Sequence, residues 1–177
     1  MQTGDTWMLK HHLIYCGKTD GEEYRDCLPS NAALAIVPPQ TAWSHDYLIN
    51  EAKVVAVLRS QGDILSFCRS QQMPFRGELL NNELYLALFS HQPIALPHQS
   101  LAIEGIEGIV TYLISLYTKP GHFVLNPGLG NGEVLMACER MERICFAGEE
   151  RREGVIRTID RWQRWSGKAA EKTDLLG

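Results

Sequence analysis

The stretch FVLNPGLGNGEVLM, residues 123–136, decides the fold. Phe123, Val124 and Leu125 are a short apolar run without alternation, which suits a strand buried on both faces. Gly128, Gly130 and Gly132 then mark a turn. Glu133 to Met141 follows as a helix, with Val134, Leu135, Ala137, Cys138 and Met141 at helical spacing. Glycines in such a turn let the backbone pass close to a ligand, and the helix start behind them presents free N–H groups. A second run, Ile144 to Ala147, leads to Glu149, about 20 residues beyond the turn, where an acid can take two hydroxyls of a ribose. The spacing suits a nucleoside-type cofactor. The pattern is not the dinucleotide G-x-G-x-x-G, and Glu133 would repel a pyrophosphate, so an adenosyl sulfonium without phosphate fits better. An ordinary strand–turn–helix corner accounts for the same residues equally well.

Working outward, Ala32 to Val37 and Lys53 to Leu58 are further unalternating apolar runs, and His12 to Cys16 is a short strand stopped by Gly17. Leu79-Leu80 and Leu84 to Phe89 read as two strands around an Asn81-Asn82 turn. Helices are expected over Asp20 to Leu28 with Asp20 as possible cap, and over Gly62 to Gln71 with Ile64, Leu65 and Cys68 at helical spacing. Two more are expected over Ile106 to Tyr117 and Val155 to Trp165, and 92–99 is loop. Strands alternating with helices predict an α/β fold with a mainly parallel sheet and helices on both faces.

The 177 residues form a single domain by length, 45% hydrophobic and 21% charged, enough to bury a core. A net charge of −4 argues against a protein held on nucleic acid by bulk positive charge. No apolar run approaches the roughly 20 residues of a membrane helix, and the start has neither basic leader nor signal core, so a cytoplasmic location without membrane attachment is expected. Cys16, Cys27, Cys68, Cys138 and Cys145 are odd in number and widely spaced, which reads as buried free thiols. No metal site is expected; adjacent His11 and His12 on a strand point to opposite faces. His45, His91, His98 and His122 read as lone core or surface residues.

Residues 119–168 resemble the cofactor half of the amino-type DNA methyltransferases, which methylate an exocyclic nitrogen of adenine or cytosine. Their Asp-Pro-Phe-x-Gly-Ser-Gly-Thr corresponds to Asn126-Pro127-Gly128-Leu129-Gly130-Asn131-Gly132-Glu133, and their Gly-Ile-Glu to Ala147-Gly148-Glu149. The tail Arg161-Trp162-Gln163-Arg164-Trp165-Ser166-Gly167-Lys168 is similar to the closing Arg-Trp-Gln-x-x-Thr-Gly-Lys of phage-type and ParB-fused members. At the front, Gly4-Asp5-Thr6-Trp7 and His12 to Gly17 resemble the family's opening. Its Asp-Pro-Pro-Tyr falls on Val37-Pro38-Pro39-Gln40, giving the permuted order of the β class.

The resemblance implies a Rossmann-like, S-adenosylmethionine-dependent methyltransferase fold. Residues 1–100 would be a remnant of the catalytic half with a reduced recognition region, and 101–177 the cofactor half. It places cofactor contacts on Asn126, Gly128, Gly130, Gly132 and Glu149. It implies DNA as partner. Val37 lacks the acid's acceptor and Gln40 the aromatic platform for a flipped base, while Lys18 stands where the family has an aspartate and no lysine follows His98-Gln99-Ser100. Little or no methyl transfer, weak or lost S-adenosylmethionine binding and weak DNA binding follow: a pseudoenzyme. The alternative is a non-catalytic binding or dimerisation module, a homo-oligomer. Arg157, Arg161, Arg164 and Lys168 share one helical face; it reads as a solvated face with Trp162 and Trp165 packed inward, or as a phosphate-binding one.

Overall fold

The computed structural model describes residues 1–81, 84–98 and 105–175. Asn82 of the expected turn, and Gln99 and Ser100, lie outside them. The elements run β1 (Thr6–Leu9), β2 (His12–Cys16), α1 (Glu22–Asp26), β3 (Ala32–Val37), α2 (Leu48–Glu51), β4 (Ala52–Ser60), α3 (Ile64–Ser70), β5 (Phe75–Asn81) and β6 (Leu84–Phe89). Then come α4 (Gly105–Tyr117), β7 (Phe123–Pro127), α5 (Glu133–Met141), β8 (Ile144–Glu149), α6 (Arg152–Ser166) and β9 (Glu171–Thr173).

The strands form one sheet in the order β5-β6-β4-β3-β7-β8-β2-β1-β9. The central strands β4, β3, β7, β8 and β2 are parallel, and both flanks are antiparallel. Strands from both halves of the chain interleave. The apolar runs of the central strands do not alternate because each face has its own core. Leu34 and Ile36 of β3 pack with Ile109, Val110 and Leu113 of α4 and Leu135 of α5. Ala35 and Val37 point the other way and pack with Val55, Val57, Leu125 and Phe67. Helices α4, α5 and α6 therefore cover one face, and α2 and α3 the other.

Several details differ from the sequence reading. Asp20 does not cap α1: the N-cap is Gly21, without a side-chain bond, and Asp20 accepts the Ser44 hydroxyl at 2.9 Å. In α3 the buried side chain is Phe67, while Leu65 and Cys68 are exposed, because a helix of two turns presents only a narrow inner stripe. Trp162 is fully buried, but Trp165 is 55% exposed. Trp165 stands in the last turn of α6, one residue before its end and 60° round from Trp162, so it lies at the margin of the inner face. Cys16, Cys138 and Cys145 are buried, but Cys27 is half-buried and Cys68 lies at the surface. The short elements β1, α2 and β9 had no sequence signal strong enough to place them. No helix among the described residues is long and apolar enough to cross a membrane. They hold no cluster of three or more His, Cys, Asp or Glu arranged for a metal.

Candidate functional site

Strands β3 and β7 are neighbours, with Leu34 opposite Val124 and Ala35 opposite Leu125. From this pair the chain winds outward in opposite directions, β3 to β4 and β7 to β8. In open parallel sheets the crevice beyond the C-terminal strand ends at such a point is where ligands bind. A cavity of about 440 Å³ opens there, within the range of about 300–1,000 Å³ usual for small-molecule sites. One wall is Gly128 and Gly130 with Glu149, Glu150 and Arg151. The other is Lys18, Thr19 and Asp20 after β2, with Pro38, Gln40, Thr41, Ala42, Ser44 and His45 after β3.

Of the residues singled out from sequence, Pro38, Gln40, Gly128, Gly130 and Glu149 meet at this cavity. Four do not reach it. Val37 is 0% exposed and belongs to the α3-side core. Pro39 is buried beside it. Asn126 is 0% exposed; its Nδ2 donates to the Ile36 carbonyl at 3.0 Å, stitching β7 to β3 just below the crevice, and its Oδ1 has no partner among the described residues. Gly132 sits behind the turn, where a Cβ would stand 3.0 Å from Thr158 Cγ2.

Gly128 has φ +99°, and a Cβ there would meet the Thr41 hydroxyl and stand 3.0 Å from Pro38 Cγ. Glycine is required both by conformation and by space. Thr41 also donates its hydroxyl to the Pro127 carbonyl at 3.2 Å. The loop after β3 thus lies directly on the glycine turn.

Both proline carbonyls of that loop are already engaged. Thr41 N–H donates to the Pro38 carbonyl at 3.3 Å. Arg59, on β4, donates Nη1 to the Pro39 carbonyl at 3.1 Å and to that of Thr41. Arg59 is 3% exposed and stacks near Trp43 and Phe67, 5.7 and 5.3 Å from their ring centroids. Its Nε and Nη2 have no partner among the described residues. Sequence reasoning missed Arg59, which continues an apolar strand past its last valine and leucine and carries no local signal of burial.

Glu149 is 6% exposed. One oxygen accepts Leu129 N–H at 3.1 Å, and the other accepts Arg151 N–H at 3.0 Å and Arg151 Nε at 3.2 Å. The acid therefore fastens the glycine turn to β8, and a ribose would have to share or displace Arg151. His45 is 3% exposed, and burial pushes its imidazole below the usual value. Its Nδ1 lies 3.3 Å from the Ser44 N–H, its Nε2 lies 2.8 Å from Thr19 Oγ1, and the ring also hydrogen-bonds to the Ala42 backbone. Among the described residues the lining holds no Phe, Tyr, Trp, Leu, Ile or Val.

An adenosyl group would find the close-approach backbone at Gly128 and Gly130 and the carboxylate of Glu149. Among the described residues it would meet Pro38 and Ala42, but no aromatic or branched aliphatic side chain against which to stack its purine.

The fold is that of the Rossmann-like S-adenosylmethionine-dependent methyltransferases. No protein-family model matches the chain, and no curated protein does. Among solved structures, TTHA0409 of Thermus thermophilus, described as a DNA modification methylase, superposes with TM-score 0.67 at 15% identity, over 86% of this chain and 95% of that one. Its complex with S-adenosyl-L-methionine gives TM-score 0.65 at 14% identity, over 86% and 93%. M1.HpyAVI gives 0.59 at 16% identity, over 85% and 98%, and the cytosine-N4-specific PvuII DNA methyltransferase 0.59 at 11%, over 85% and 86%.

Proposed function

We propose that this chain is a DNA methyltransferase homologue that has lost methyl transfer and keeps the crevice as a weak S-adenosylmethionine site. The observation that carries this is the state of Val37-Pro38-Pro39-Gln40. An exocyclic amino nitrogen is a poor nucleophile because its lone pair is delocalised into the base. Two acceptors must draw its hydrogens before the nitrogen can attack a methyl sulfonium. Here Val37 is a core side chain, and the Pro38 and Pro39 carbonyls accept Thr41 N–H and Arg59. Loss of one preorganised polar group commonly costs about 10²–10³ in rate. On the cofactor side Gly128, Gly130 and Glu149 would hold the adenosyl group, which would supply an electrophilic methyl when bound. Arg151 competes for the Glu149 oxygens, so affinity is weak. The whole chain, 1–177, acts as one methyltransferase-like domain in this reading. Two measurements test it: transfer of labelled methyl groups to unmethylated genomic DNA, and calorimetry with S-adenosylmethionine. Robust incorporation refutes the loss of chemistry; micromolar or tighter binding refutes the weak site.

A second reading, a dimerising module, draws on edge strand β5, where Phe75 and Leu80 are 52% and 65% exposed. Sedimentation of the free chain as a monomer at high concentration removes it.

A further inference from the structure

Helix α6 carries a second surface that the crevice does not use. Arg157, Asp160, Arg161, Arg164 and Trp165 line a shallow hollow of about 430 Å³ on its outer face. They recur at three-, four- and seven-residue spacing, so they share one side of the helix. Trp165 is 55% exposed, the largest apolar ring left in the open beside three guanidinium groups. Arg161 donates to the Asn131 carbonyl at 2.9 Å and to Glu107 at 2.8 Å, and that hydrogen bond holds the Glu107 carboxyl below its usual value. Arg140 of α5 lies close enough to act on the same carboxylate. Arg157 and Arg164 have no hydrogen bond or ion pair among the described residues. Four guanidinium groups against Glu107 and Asp160 leave the surface positive, although the chain as a whole is at −4. Glu153 lies one turn nearer the crevice and makes no ion pair with Arg157 among the described residues.

We propose that this face binds a single-stranded nucleic acid, with phosphates on Arg157 and Arg164 and a base stacked on Trp165. The two arginines are about 10.5 Å apart along the helix axis at 1.5 Å per residue. A guanidinium takes a phosphate with paired N–H donors. An exposed indole stacks on any unpaired base, whatever its identity. The two features together select the ligand. A duplex keeps its bases from the ring, and an acidic peptide uses the arginines but leaves the ring idle. The inference needs neither the adenosyl site nor methyl transfer.

The test uses the full chain and a labelled oligothymidylate of about a dozen nucleotides, read by anisotropy and by quenching of tryptophan fluorescence. Binding is expected to weaken about tenfold or more in Trp165→Ala and to survive largely in Trp165→Phe. Arg157→Gln with Arg164→Gln is expected to lower the slope of log affinity against log salt by about 1.4, at about 0.7 per phosphate contact. Lys53→Gln with Arg69→Gln removes the same charge from exposed positions elsewhere and is expected to leave binding intact. No binding, equal binding of the duplex, equal binding of polyglutamate, or indifference to Trp165→Ala in a folded variant would each overturn the assignment.

Discussion

Arg59 Nη1 donates to the Pro39 carbonyl at 3.1 Å, so a side chain of β4 pins the turn that follows β3. The same group reaches the Thr41 carbonyl, and the Thr41 hydroxyl reaches the Pro127 carbonyl. The two loops that frame the crevice are thereby fastened to each other through buried and half-buried polar contacts. A buried cation is costly; Arg59 has no carboxylate in hydrogen-bond reach among the described residues, only the more distant charge of Asp63, and it is held by two carbonyl oxygens and two ring faces.

Arg59→Lys should destabilise the chain by about 2–3 kcal/mol, since an ammonium cannot reproduce the planar fork and leaves a buried carbonyl without a donor. Urea denaturation measures this. A loss below about 0.5 kcal/mol, the scale of a neutral surface change, would show that the loop holds its shape without Arg59.

Val37→Asp should not restore a methyltransferase. Val37 packs among Val55, Val57, Leu125 and Phe67 and does not open on the cavity. A carboxylate there is desolvated without a partner, at a cost of about 3 kcal/mol or more. The expected result of Val37→Asp with Gln40→Tyr is a lowered melting temperature and no methyl incorporation. A double variant that is fully stable and active would show that the backbone at Val37 reorients easily.

Gly128→Ala should cost more than conformation alone, because its Cβ meets the Thr41 hydroxyl as well as adopting positive φ. The conformational part is about 1–2 kcal/mol. In a double-mutant cycle with Thr41→Ala the steric part should be relieved and the conformational part remain. Strict additivity of the two single changes would mean that Thr41 and Gly128 do not touch.

Acid should weaken the fold before any carboxylate titrates. Burial pushes the His12 imidazole below its ordinary 6.5, although hydrogen bonding to Glu139 opposes this. His12 Nδ1 accepts Cys145 N–H at 3.0 Å and Nε2 faces Glu139 Oε2 at 2.7 Å, so a second ring proton breaks the bond to Cys145. His45 is lowered by burial in the same sense. Below about 6.5 the unfolded state takes up these protons and the folded state does not, so the stability they contribute is complete above that pH and is lost as pH falls toward their folded values. The urea midpoint should fall between pH 8 and pH 5. His12→Asn with His45→Asn should flatten that dependence. An unchanged slope in the double variant would place the titration elsewhere.

Local pattern alone located β3, α5 and the strand over His12 to Cys16 at their observed bounds. Each is a run whose burial or periodicity is complete within a few residues. The glycine turn and Glu149 were equally legible, since spacing along the chain fixes which atoms a strand–turn–helix unit can bring together. Pairing was not written in any one segment. The resemblance to the methyltransferases implies that the strand before Pro38 lies beside the strand before Gly128, and β3 does pair with β7, but that Pro38 and Gln40 then face Gly128 and Gly130 follows from which strands find each other across the sheet. Nothing local distinguishes Arg59 from a surface arginine at a strand end, or Val37 from a residue that opens on a crevice. Their surroundings come from loops and helices far away in sequence, and burial is a property of those surroundings. The same holds for Trp162 and Trp165: composition gives two tryptophans on one helix, but only the packing of α6 on the sheet decides that one is core and the other exposed.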